Sequence, residues 1–319
     1  MGSSNKVYIL EPGTVVLPTL PQLTTLPSHL KLPYATATAT VISTRDVPTT
    51  LNYYAPIGTE EPYQYALDPP AGKLPNNIGA DTHPVTVRDA RGREDEFGLL
   101  DKSGFQLVKW PSVESEFDDE ERIKAQYYPE VEELLKKVTG AKRVFLFRPK
   151  PDENAKPGPQ NRGPVERVHI DQTPNASVDR VKYHLPEEAD RLLKSRVRII
   201  NVWRLIHHPV AHNPLAVSDW RHLDERDLVK ANFIYPDRNG ETYMVWYSAG
   251  HRWCYLADQT PEEVTLIKCY DSEEDRARLT PHSAFSDAGA PESAPHRESI
   301  EVRALVFDSE STDSGGESE

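Results

Sequence analysis

From Arg143 onward the chain is a succession of short apolar runs separated by turn residues. Val144–Phe147, Val165–Ile170, Val197–Ile206, Thr242–Tyr247, Arg252–Leu256, Val264–Tyr270 and Ser299–Phe307 all have strand length and are rich in β-branched and aromatic residues. Many short strands at fairly regular intervals predict a sandwich or barrel. Helical spacing is found elsewhere. Ile123, Tyr127, Val131, Leu134, Leu135 and Val138 recur at three- and four-residue intervals. Asp118 is the expected N-cap of that segment, Gly140 its stop, and Pro129 should split or kink it. Pro186–Lys194 predicts a short helix with proline in its first turn, and Asp219–Val229 suits another.

The first 80 residues are rich in proline and threonine, with turn signals every few positions. Only Tyr34–Thr44, which alternates small apolar residues with threonine, looks like a strand there, although Val85–Arg88 begins the regular pattern soon after. Three regions are therefore expected: an extended wrapping segment over 1–80, one β-rich domain over 81–307, and a disordered acidic tail over 308–319. The fold class is mainly β with flanking helices (α+β).

The 319 residues carry a formal charge of −13, which argues against a nucleic-acid partner. No apolar run approaches the roughly 18 residues of a membrane span, and the opening MGSSNKVYILEPGT lacks the features of a signal peptide. Cys254 and Cys269 are too few for a disulfide framework or zinc cluster and sit in apolar runs. These features predict a soluble cytoplasmic protein.

Candidate chemistry comes from His169-Ile170-Asp171 with the distant His282. Two imidazoles and a carboxylate in the order H-x-D…H form the facial triad of non-haem iron(II) oxygenases. H-x-D alone says little, since His222-Leu223-Asp224 is a second copy. That copy lies in a helix-like stretch, where residues two apart diverge, whereas on a strand they share a face. Downstream of His282 comes Arg297-Glu298-Ser299 at the start of a strand. A guanidinium and a hydroxyl there suit the distal carboxylate of 2-oxoglutarate. Arg303 shares that strand face and is the rival for the carboxylate; Arg297 is preferred for its nearness to His282 and Ser299. His251 is the main rival for the distal metal position, with Lys268 as the cation that would accompany it. On the substrate side, Asn201 and Trp203 share one strand face and could line a pocket, while Arg180 and Arg204 could meet a substrate carboxylate. No H-E-x-x-H, nucleophile elbow or Gly-rich phosphate loop is present.

VHIDQTP (168–174), RIINVWR (198–204), HRWCYL (251–256), PHSAF (281–285) and RESIEVRALVF (297–307) resemble the fungal gibberellin-desaturase family, related to cephalosporin 7-methoxylases. GFQLVKWPS (104–112) and YYPEVEELLKKVTGAKRVFLF (127–147) extend the resemblance across roughly residues 80–307. It implies a double-stranded β-helix (jelly-roll, cupin-like) barrel with a helical buttress. It also implies Fe(II) and 2-oxoglutarate as cofactors, with O2 and a small specialised metabolite as reactants. The expected reaction is hydroxylation or desaturation at an aliphatic C–H. In that reading His169, Asp171 and His282 hold the metal and Arg297 holds the co-substrate. The competing expectation is a non-catalytic partner subunit of the same fold.

Overall fold

The computed structural model describes residues 45–147, 163–236 and 238–310. In chain order its strands are β1 Val47–Pro56, β2 Tyr63–Tyr65, β3 Ile78–Asp89, β4 Phe105–Lys109, β5 Arg143–Phe147, β6 His169–Ile170 and β7 Val197–Leu205. They continue with β8 Leu215–Ser218, β9 Leu228–Ile234, β10 Asn239–Val245, β11 Trp253–Tyr255, β12 Glu263–Asp271, β13 His282–Ala284 and β14 Ser299–Phe307. The helices are α1 Glu94–Phe97, α2 Glu120–Arg122, α3 Tyr128–Thr139, α4 Pro174–His184 and α5 Ala189–Leu192. A nine-stranded sheet has the order β1-β3-β11-β8-β13-β6-β10-β9-β2 and faces a five-stranded sheet of order β4-β12-β7-β14-β5. This is the expected jelly-roll, with α3 as the buttress beside β5.

Alternation explains why both faces of the nine-stranded sheet are buried. Val217 and Cys254 belong to the main core between the sheets, whereas their neighbours Ala216, Trp253 and Tyr255 belong to a second apolar cluster on the opposite face. Val47, Leu51 and Tyr53 of β1 complete that cluster. The Val168 amide donates to the Asn52 carbonyl at 2.9 Å, so β1 returns alongside the strand that leads into His169. The proposed wrapping segment thus differs from expectation after Val47. A ten-residue strand paired along its whole length with β3 is built into the sheet. Tyr34–Thr44 and the acidic tail beyond 310 lie outside the described residues.

The helical buttress is capped by Asp119 rather than Asp118; its side chain accepts from the amides of Glu121 and Arg122. A π-helical turn over Ile123–Tyr127 precedes Pro129, which then sits in the first turn of α3, where a missing N–H costs little. Gly140 ends α3 at φ 69°, in the left-handed region. The helix expected over Asp219–Val229 is instead two 3₁₀ turns leading into β9, because Asp219 and Asp224 each cap their own short turn. An unanticipated helix, α4, follows Asp171 directly, started by Thr173 as N-cap and Pro174 at its first position. The strand run at Val165–Ile170 narrows to His169–Ile170.

Candidate metal and co-substrate site

His169 and His282 are direct partners across the antiparallel pair β6–β13, so both rings leave the same face of the sheet. Their ring centroids lie 4.4 Å apart. His169 Nδ1 donates to the Arg167 carbonyl at 2.8 Å, and His282 Nδ1 donates to the Thr280 carbonyl at 3.0 Å. A carbonyl can only accept, so the hydrogen sits on Nδ1, and in the neutral ring it is Nε2 that carries the free lone pair. Those Nε2 atoms stand 3.8 Å and 3.7 Å from the two carboxylate oxygens of Asp171. Such distances exceed a hydrogen bond but fall within the roughly 4 Å that two ligands at about 2.1 Å from one ion can bridge. One donor atom from each of the three residues lies within 4.8 Å of the others. Burial, with the neighbouring His282, pushes His169 down to about 4, which leaves a neutral ring able to ligate.

Asp171 is held by two residues that the sequence reading placed elsewhere. Asn201 on β7 and Arg303 on β14 are Cα partners, and both reach the carboxylate. Asn201 Nδ2 donates to Oδ2 at 2.5 Å and Arg303 Nη2 donates to Oδ1 at 3.0 Å. Burial opposes ionisation of Asp171, yet the Arg303 guanidinium and the two imidazoles hold its carboxyl well below the usual range. Arg303 also donates to Glu301 at 3.0 Å, so two carboxylates already neutralise it. Asn201, expected in the substrate pocket, and Arg303, the reserve for the co-substrate, both hold the Asp171 carboxylate instead. Cys269, at an irregularity of β12 between Lys268 and Tyr270, brings its thiol to 3.8 Å from Asp171 Oδ2.

Arg297 is different. It is 5 % exposed and its Nη1 donates to the Asn213 carbonyl at 2.5 Å. Its Nε has no acceptor, and among the described residues it makes no ion pair with a carboxylate. Burial pushes its pKa down to about 10. The guanidinium carbon lies 5.3 Å from the centre of the Trp203 ring. Trp203, expected to line the substrate pocket, therefore serves as the platform for Arg297 and belongs to the main core. Ser299, fully buried, opens β14 two residues beyond Arg297.

The remaining candidates are placed as follows. Arg204 alternates to the opposite face of β7, where it donates to the Trp110 carbonyl at 2.7 Å and lies 4.8 Å from the Tyr127 ring centre. It packs between sheet and helices and is not at the site. His251 meets Asp227 at 3.1 Å and stacks on Tyr53 beside the second core, so it is no distal ligand. Lys268 is buried and ion-paired with Asp101 and Asp271. In the second H-x-D, Asp224 holds Arg226, and the motif takes no part in a metal cluster among the described residues. Arg180 lies on α4, 5.6 Å from the Phe147 ring centre.

Sequence reasoning missed the support behind His282. Thr280, whose carbonyl fixes the imidazole, anchors its own hydroxyl to the Gly104 carbonyl at 2.6 Å. Gly104 has φ +90°, and a Cβ there would stand 2.5 Å from Thr280 Oγ1. Gly104→Ala is therefore expected to destabilise the protein by about 1–3 kcal/mol and to weaken metal binding about tenfold. Thermal unfolding and an iron titration of the same variant check both parts; unchanged iron affinity would separate Thr280 from the site.

Comparison with known proteins places this geometry. A family profile described as "Oxidoreductase/YMDC permease-like domain" matches residues 51–307. No helix among the described residues is long and apolar enough to cross a membrane. The chain is 36 % identical over 258 residues to the Fe(II)/2-oxoglutarate-dependent dioxygenase nvfI of Aspergillus novofumigatus, covering 78 % of this chain and 92 % of that one. It is 38 % identical over 252 residues to the hydroxylase/desaturase efuI of Hormonema carpetanum, covering 71 % and 84 % respectively. Among solved structures, the iron and alpha-ketoglutarate-dependent endoperoxidase NvfI superposes with a TM-score of 0.72 at 33 % identity, over 82 % of this chain and 98 % of that one. With such identity along nearly the full length of its relatives, and a His-Asp-His cluster inside a jelly-roll, the chain belongs to the non-haem iron, 2-oxoglutarate-dependent dioxygenase and hydroxylase/desaturase family that these fungal enzymes represent.

Proposed function

We propose that the protein is an Fe(II)- and 2-oxoglutarate-dependent oxygenase that hydroxylates or desaturates an aliphatic C–H of a small specialised metabolite. His169, Asp171 and His282 hold the iron, and Arg297 with Ser299 receives the distal carboxylate of 2-oxoglutarate. The observation that carries this reading is the donor set: two bare Nε2 lone pairs and one ionised carboxylate converge on one point. Iron with 2-oxoglutarate and O2 supplies the oxidising chemistry, coupled to decarboxylation of the co-substrate to succinate. The chain's own residues do the rest. The Nδ1 hydrogen bonds fix both rings, Asn201 and Arg303 aim the carboxylate, and Arg297 offers a buried cation with an unmet Nε that makes no ion pair among the described residues.

The complete ligand set argues against the alternative of a non-catalytic partner subunit. A cytoplasmic location fits two buried free thiols, and the net charge of −13 fits a protein without a nucleic-acid partner. The test is spectroscopic. Without oxygen, Fe(II) and 2-oxoglutarate together should give the wild-type protein a visible charge-transfer band that His169→Ala lacks. No band in the wild type, or an unaltered band in the variant, would sink the assignment.

A further inference from the structure

At the Arg303 end of the site a second cation makes no ion pair with any of the described residues. Arg180 reaches the Phe147 ring, and Phe147 is the Cα partner of Arg303 on the neighbouring strand. Tyr235, in the turn between β9 and β10, is linked to α4 by Arg238, whose guanidinium lies 4.0 Å from the Tyr235 ring centre and 5.0 Å from the ring centre of Tyr183. Burial and the charges of Arg303 and Arg238 all work against the protonated form of Arg180. Arg303 is neutralised by Asp171 and Glu301, but Arg180 makes no ion pair among the described residues. In a chain with 50 acidic and 37 basic residues, a partly buried arginine with no carboxylate partner among the described residues is out of keeping with its surroundings.

We infer that Arg180, with Tyr235, forms the subsite for a carboxylate on the organic substrate, an inference that rests on the oxygenase reading above. A guanidinium covered on one face by an aromatic ring still has its in-plane N–H edge to give, and that edge matches a planar carboxylate. The aromatic walls of Phe147 and Tyr235 suit the apolar body to which such a carboxylate is attached. The co-substrate does not need this cation. Arg297 and Arg303 are six residues apart on the chain, about 20 Å if the segment is extended, and Arg180 belongs to the Arg303 end. Arg303, tied to Asp171, marks that end as the one beside the metal ligands.

The probes are phenylbutyrate and its neutral amide, titrated without oxygen into the Fe(II)- and 2-oxoglutarate-loaded protein while the charge-transfer band is followed. Phenylbutyrate should perturb the band, and the amide should bind at least about tenfold more weakly. Arg180→Gln should erase that preference, Arg180→Lys should keep part of it, and neither should change the half-saturation for 2-oxoglutarate. Equal binding of acid and amide, a preference that survives in Arg180→Gln, or no response to phenylbutyrate up to roughly 10 mM would overturn the subsite. A loss of 2-oxoglutarate affinity in Arg180→Gln would also overturn it, by giving this arginine to the co-substrate. Absence of the band in the wild type is a distinct failure, since it removes the oxygenase reading itself.

Discussion

Asp171→Asn should abolish the charge-transfer band and cut succinate formation by more than about a hundredfold, because even outer partners of metal ligands are worth 10–100-fold. The substitution keeps the shape of the side chain but removes the only anionic donor of the cluster. It also leaves Arg303 with one carboxylate partner, Glu301, where it had two. Removing one partner of a buried pair with nothing else in reach costs about 3–5 kcal/mol; with Glu301 in place the expected loss is about 1–3 kcal/mol. Adding Arg303→Met to Asp171→Asn should recover much of that stability while iron binding stays lost. Thermal unfolding and the anaerobic spectrum, read on both variants, separate the structural role of the pair from ligation. A single variant that still shows the band would remove Asp171 from the metal site.

Arg297→Met should raise the half-saturation for 2-oxoglutarate by about a hundredfold, the worth of a charge-assisted hydrogen-bonded contact of roughly 1.5–3 kcal/mol. Stability should move the other way. Arg297 is buried with an unmet Nε, and burial depresses its pKa to about 10, which means that the folded protein holds this charge at a cost. Methionine over Trp203 keeps the apolar contact and drops the charge. The protein without co-substrate should therefore unfold at the same or a higher temperature. Opposite signs in binding and stability are the signature of a group kept for a ligand. If 2-oxoglutarate binds the variant as tightly as the wild type, Arg297 is not its partner.

Side-chain types and their local spacing made parts of this legible beforehand. A sandwich or barrel was readable from strand-length apolar runs, the resemblance narrowed it to a jelly-roll, and Ser299–Phe307 has the bounds expected of it. The pairing of His169 with Asp171 was readable because residues two apart at a strand end share a face. Errors arose where local signals compete. Asp118 and Asp119 are equally good caps by type, and only backbone geometry selects Asp119. Residues 219–229 have helix-compatible composition, yet Asp219 and Asp224 accept from the amides of Arg221 and Arg226, each two residues on, and break the run.

The amino-acid sequence by itself determined the chemistry available: two imidazoles, a carboxylate, a strand-opening arginine with its serine, and the apolar periodicity that folds a barrel around them. Only the tertiary structure decided which arginine does what. Asn201 and Arg303 reach Asp171 across 30 and 132 positions of chain. Arg204 and Asn201, three residues apart on one strand, end up on opposite faces. A guanidinium looks the same in the sequence whether it is paired, stacked or left without a counter-ion. Its role is set by what distant strands bring within about 3 Å, and strand pairing at long range leaves no local trace.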